Sequence, residues 1–257
     1  MKILDYSKIF FWYVNNLHFF PNFLFLVLSK VKKALFSEHL KKFQSEDLKY
    51  IKHEKFYKIN QLKKKKFKVL KIYKKIIIKN KNIIKNYGGA ADLDLLFTIC
   101  SKNKSKNFSI LETGVALGWS SLTFLFFLKK GNRNLTSVDM PYWNKSNFDY
   151  VGSIVPNNLK TKWILIREPD IVALKKISLT KKKFNLVHYD SDKSYYGRKK
   201  SYETLWFLIK KNGILISDDI SDNYAFINFV KQKKLIKNKS YFILKYKNKF
   251  IGIAIKK

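Results

Sequence analysis

Five short apolar runs, Phe108 to Leu111, Asn134 to Val138, Trp163 to Ile166, Phe184 to Tyr189 and Gly213 to Ile216, set the narrowest limits on how this chain can fold. Helix-compatible stretches follow or separate them at 119–130, 170–177, 198–211 and 222–235. Strands this short and apolar on both faces belong to a parallel sheet covered on each side by crossover helices. The rhythm breaks at the end, where Tyr241 to Tyr246 and Phe250 to Ile255 flank Lys247-Asn248-Lys249 and predict an antiparallel hairpin. The expected fold is therefore α/β, a doubly wound and mostly parallel sheet closed by a C-terminal antiparallel hairpin.

A basic helical extension precedes that domain, and the composition changes near Tyr87-Gly88-Gly89, which predicts an extension over 1–87 and a domain over 88–257. Residues 1–87 hold 22 lysines against five acids. Ser45-Glu46-Asp47 reads as a helix start, and Leu62, Val69, Tyr73, Ile76 and Ile83 recur near helical spacing, so basic amphipathic helices are expected across 45–86. Upstream, Ile9 to Leu28 is apolar but interrupted by Asn15, Asn16, His18, Pro21 and Asn22, and no small-residue cleavage site follows, which argues against a signal peptide. Asn15, His18, Asn22 and Ser29 draw a narrow polar stripe along it. Two readings stay open: a helix lying in a membrane interface, giving peripheral contact through residues 1–35, or a helix packed on its own domain or on a second copy in a homo-oligomer. The expected location is cytoplasmic, or peripheral at the inner face of a membrane.

The formal charge is +35, from 53 Lys+Arg against 18 Asp+Glu, which at first points to a polyanion. Only Arg133, Arg167 and Arg198 are arginines, however, and a phosphate reader favours the bidentate guanidinium over the solvated ammonium. A compositional bias toward lysine accounts for the charge, and nucleic acid is disfavoured as a partner. With 46% hydrophobic and 16% aromatic residues the chain has ample material for a core, which excludes wholesale disorder. Cys100 stands alone in an apolar run and can form neither an internal disulfide nor a cysteine-based zinc site.

Against so many lysines the acids become informative. Six of the 13 in the domain fall at predicted strand ends: Glu112, Asp139, Asp190, Asp192, Asp218 and Asp219. Ligands of open α/β sheets bind beyond those ends. The first strand runs into Glu112-Thr113-Gly114-Val115-Ala116-Leu117-Gly118-Trp119-Ser120, where Gly114 and Gly118 permit close backbone approach. The following helix N-terminus and Ser120 can donate to a carboxylate. Asp139 ends the second strand, where an acid can accept both hydroxyls of a ribose. Asp190, Asp218 and Asp219 would repel one another without a cation, which points to a hard oxygen-seeking ion such as Mg²⁺.

Glu112-x-Gly114-x-x-x-Gly118 followed by Asp139 resembles motifs I and II of the class I S-adenosylmethionine-dependent methyltransferases, and the likeness runs on through Phe184 to Asp190 and Gly213 to Asp219. It implies a Rossmann-like sheet and S-adenosylmethionine as cofactor, with Ser120 at its methionine carboxylate, Asp139 at its ribose and the loop ending in Asp170 at its adenine. The carboxylates Asp190, Asp218 and Asp219 resemble those of metal-dependent O-methyltransferases acting on catechols and on sugars of glycosylated natural products. That likeness implies methyl transfer to a hydroxyl of a small molecule or glycoconjugate, assisted by Mg²⁺ or a similar ion. Asp190-Ser191-Asp192-Lys193-Ser194-Tyr195 resembles their Asp-x-Asp-His-x-Tyr segment, with Lys193 in the histidine position, so the base is Asp192 or Lys193, with Asp192 favoured. His188 reads as a core residue. Tyr142-Trp143, Tyr196, Arg198 and Asn223 lie near the same edge without a role. A nucleic-acid methyltransferase is the alternative, against which the fourth strand lacks the Asn/Asp-Pro-Pro-aromatic sequence that cradles a flipped base. A non-catalytic membrane-associated binding protein is the other.

Overall fold

The computed structural model describes residues 92–257 apart from 104, 106, 129–133, 141–149, 239, 247 and 248, together with scattered positions between 10 and 31 and residues 75 and 81. The expected helices of 45–86, the boundary at Tyr87-Gly88-Gly89 and the pair Tyr142-Trp143 lie outside the described residues, save the helical positions 75 and 81. Described positions between 10 and 31 are mostly helical, with Tyr13 buried and Phe11, Leu17 and Leu28 exposed. No helix among the described residues is long and apolar enough to cross a membrane.

The described elements begin with α1 (Leu93–Ser101) and continue as β1 (Ser109–Thr113), α2 (Trp119–Leu128), β2 (Asn134–Val138), β3 (Trp163–Ile166), α3 (Asp170–Leu179) and β4 (Phe184–Tyr189). They end with α4 (Tyr195–Leu208), β5 (Ile209–Ser217), α5 (Ala225–Gln232), β6 (Tyr241–Tyr246) and β7 (Lys249–Ile255). The seven strands form one sheet in the order β3-β2-β1-β4-β5-β7-β6. The first five are parallel, and β7 and β6 are antiparallel to their neighbours. The doubly wound sheet and its closing hairpin are as expected. The chain order reverses between β1 and β4, which opens a crevice at their carboxyl ends.

Alternation along the strands divides the core between two faces. Ile110, Leu135, Leu186 and Ile216 pack with Leu95 and Leu96 of α1 and Leu122 and Leu125 of α2. Leu111, Val138, Val187 and Leu215 pack with Leu174 of α3, Tyr202 and Leu205 of α4, and Phe226 and Phe229 of α5. Both sets are nearly free of solvent, so both sheet faces are covered.

Helices α1 and α4 and strand β5 depart from the sequence reading, and the helix expected over 222–235 is the shorter α5. Helix α1 went unread, although Asp92 caps it by accepting the Leu95 amide at 3.1 Å. The expected helix 198–211 runs instead from Tyr195 to Leu208, and β5 starts at Ile209. Ser194 caps the earlier start through the Gly197 amide, and Ile209 is drawn into the sheet opposite Phe184.

Candidate active site at the carboxyl ends of the strands

The turn after β1 is built to pass close to its neighbours. Gly114 has φ +83°, and a Cβ there would fall on the Asp190 carbonyl at the end of β4. Gly118 has φ +99°, and its Cβ would meet Val155 at 2.8 Å and the Gly152 backbone at 3.1 Å. Side chains add to this turn. Glu112 is wholly buried and accepts hydrogen bonds from the hydroxyls of Ser121 at 2.6 Å and Ser137 at 2.7 Å, and from that of Ser120. One carboxylate thereby ties β1 to the first turn of α2 and to β2. The Ser120 hydroxyl, assigned by resemblance to a methionine carboxylate, points to Glu112 in this structure.

Asp139 follows β2 and faces the same turn, its Oδ2 accepting the Val115 amide at 2.7 Å and the Ala116 amide at 2.8 Å. Burial raises its pKa to about 6 against those amides and Arg167, which pull it down. Asp170 begins α3 and is likewise raised by burial. Its carboxylate accepts the Ser191 hydroxyl at 2.6 Å and the Ser201 hydroxyl at 3.2 Å, joining the loop after β3 to that after β4 and to α4. The residues expected around a cofactor are therefore gathered at one edge of the sheet.

The second group lies beside it, at the ends of β4 and β5. The Lys193 ammonium contacts Asp190 Oδ1 and stands 3.2 Å from Asp219 Oδ2. Lys249, which opens β7, reaches Asp219 Oδ1 at 2.9 Å. Asp219 is left-handed, with φ +52°, a conformation that aspartate tolerates better than most residues and that here sets its carboxylate between the two lysines. Asp218 faces inward, its Oδ2 3.5 Å from His188 Nε2. Burial works against a charge on Lys193, but Asp190 and Asp219 outweigh it and raise its pKa. Asp219 is pushed up by burial and pulled further down by Lys193 and Lys249. Asp192 sits at the start of α4, accepting the Ser194 amide at 2.9 Å and resting where a Cβ on Gly197 would lie.

Three residues that carried no role hold this edge together. The buried Arg198 donates through Nη2 to the Asp219 carbonyl at 2.8 Å and the Asp218 carbonyl at 3.3 Å. Asn223 donates to the Lys193 carbonyl at 2.8 Å. His188, next to the last residue of β4, is fully buried with its ring nitrogens 3.9 Å from Glu112 and 3.5 Å from Asp218. Burial opposes its protonation, yet the flanking Asp218 and Glu112 raise its pKa to about 10. It is a core residue, as expected, and the carboxylates on either side favour its protonated form.

The donors expected for a divalent ion do not fit one here. Among the described residues no group of three or more His, Cys, Asp or Glu is arranged to hold a metal. Asp190 and Asp219 share the Lys193 ammonium, and Asp218 faces the His188 ring.

A family model described as a methyltransferase domain matches residues 111–220. No curated protein matches the sequence. Among solved structures, the O-methyltransferase from Bacillus cereus in complex with SAH is similar over 77% of this chain and 94% of its own, at 14% identity and a TM-score of 0.51. The O-methyltransferase TomG from Streptomyces achromogenes, involved in tomaymycin synthesis and solved with SAM, is similar over the same shares, at 12% identity and a TM-score of 0.51. At these identities the likeness is one of fold.

Proposed function

We propose that the chain is a class I S-adenosylmethionine-dependent methyltransferase whose acceptor is a hydroxyl of a small molecule or glycoconjugate. One observation carries the reading: the glycine turn after β1 abuts Asp190, so the place for a cofactor and the charged cluster for an acceptor are contiguous. The residues fit an adenosyl group. Asp139 offers a buried carboxylate at the end of β2 for ribose hydroxyls, and the first amides of α2 suit a carboxylate. The cofactor, when bound, supplies a methyl group on a positively charged sulfur.

The chain's own residues then have separable tasks. Lys193, held protonated between Asp190 and Asp219, is a hydrogen-bond donor and not a base. That favours Asp192, on the same loop, as the group that takes the acceptor's proton. With the methyl group supplied by the cofactor, the Asp192 carboxylate would accept the hydroxyl proton that the acceptor gives up. Gly114 and Asp190 keep the two reactants in neighbouring compartments, which is where positioning contributes to rate.

The test is transfer of labelled methyl from S-adenosylmethionine to a panel of phenolic and sugar hydroxyls. With the best acceptor, Asp192→Asn is expected to lower kcat by about 10²- to 10⁴-fold with SAH affinity retained. A variant that transfers methyl at the wild-type rate removes Asp192 from the mechanism. Labelling of RNA in preference to every hydroxyl on the panel would overturn the acceptor class.

A further inference from the structure

The carboxylates at the ends of β4 and β5 meet two lysines from distant parts of the chain. Lys193 lies on the loop between β4 and α4, and Lys249 opens β7. Both converge on Asp219, one on each carboxylate oxygen, and Lys193 also contacts Asp190. Building on the methyltransferase reading above, we propose that the Lys193 and Lys249 ammonium groups occupy the position and supply the charge of a divalent cation, so that the site binds and orients its acceptor without a metal ion.

Charge balance supports the substitution. Asp190 and Asp219 bring two negative charges, and the two ammoniums bring the two positive charges that one Mg²⁺ would bring. The third carboxylate, Asp218, is matched by His188 beneath it. A metal entering this cluster would have to expel Lys193 from between two carboxylates and bring a doubly charged ion within a few ångströms of the like-charged Lys249. Mg²⁺ also gives up its water reluctantly and demands octahedral oxygen ligands, whereas Asp219 has both oxygens engaged.

The arrangement can still do part of what a metal does. An ammonium carries three N–H bonds. Asp190 and Asp219 take two from Lys193, and the third can hold an acceptor oxygen beside the Gly114 turn. The Lys193 backbone is fixed by Asn223, and Arg198 pins the carbonyls of Asp218 and Asp219, so the ammonium is presented from a braced loop. A single positive point activates a hydroxyl less than direct ligation to a metal, which is consistent with a separate carboxylate base.

Mn²⁺ binding read by electron paramagnetic resonance tests this directly, with SAH titrated in parallel on the full chain. The wild type is expected to bind Mn²⁺ no more tightly than about 1 mM, with or without SAH, and its SAH affinity is expected to be unchanged by EDTA. Lys193→Ala/Lys249→Ala should bind Mn²⁺ at least tenfold more tightly, adding Asp190→Asn should abolish that gain, and Lys193→Arg should stay as blind to the ion as the wild type. Micromolar Mn²⁺ binding by the wild type overturns the proposal, as does a double variant that folds and binds no better. Lys249→Ala alone changes an exposed side chain and supplies a folded variant in which a smaller gain is expected. If SAH fails to bind the wild type, the methyltransferase reading falls, whatever the Mn²⁺ arm returns.

Discussion

Replacing His188 by leucine is expected to cost about 3–5 kcal/mol of stability near pH 6, because it removes the cation between two buried carboxylates. The two acids would be affected unequally. Glu112 keeps three serine hydroxyls, whereas Asp218 loses the imidazolium, and its Oδ1 already has no hydrogen-bond partner. The pH dependence follows from the direction of the shift. A histidine whose pKa rises from 6.5 to about 10 on folding stabilises the fold fully below 6.5 and loses that contribution as the pH climbs through 10. The gap between wild type and His188→Leu in thermal or urea denaturation should therefore be widest near pH 6 and narrow toward pH 10. Parallel profiles for the two proteins would mean that His188 packs as a neutral ring, with Phe124 against its edge.

Gly114→Ala is expected to lose on the order of 3 kcal/mol and most of the SAH affinity. Two costs combine at that position. A side chain at φ +83° is strained wherever it points, and this one would point into the Asp190 carbonyl. The Asp190 backbone cannot retreat freely, since its amide is bound to the Thr113 carbonyl at 2.8 Å. Relief would have to come from the turn after β1, whose Val115 and Ala116 amides are held by Asp139. Melting temperature and calorimetric titration with SAH read the two effects separately. A variant with unchanged melting and unchanged SAH affinity would contradict the close approach of the two loops.

The strand framework was legible because β2, β3 and β4 are short apolar runs bounded by turns, and their limits match the sequence reading residue for residue. The second half of β5 was read as Gly213 to Ile216, but its first half was not, because it enters the sheet through Lys210, Lys211 and Asn212, whose composition signals surface. Contacts distant in sequence place them: the Asn212 amide is bound to the Lys256 carbonyl, and the Lys210 ammonium donates to Asn185 Oδ1 at 3.2 Å. At the site, the acids stood out because they are rare. The lysines that pair with them did not, since in a chain this basic no single lysine is conspicuous, and Lys249 reaches Asp219 only through the fold of the last hairpin. The serines show the same limit. Spacing put Ser120 beside the turn, but only tertiary structure shows its hydroxyl on Glu112 and brings Ser137 to the same carboxylate.

The initial puzzle of the +35 charge thus has a local answer within a general bias: two of those lysines sit where the carboxylates converge. A methyltransferase of this architecture requires a cofactor lying between the β1 turn and Asp139. Calorimetric titration of SAH into the wild type and into Asp139→Ala tests that most directly. Micromolar binding to the wild type and a loss of at least tenfold in Asp139→Ala, with the fold retained by circular dichroism, are expected; equal affinity for the two proteins, or no binding to the wild type, would contradict a cofactor at that place.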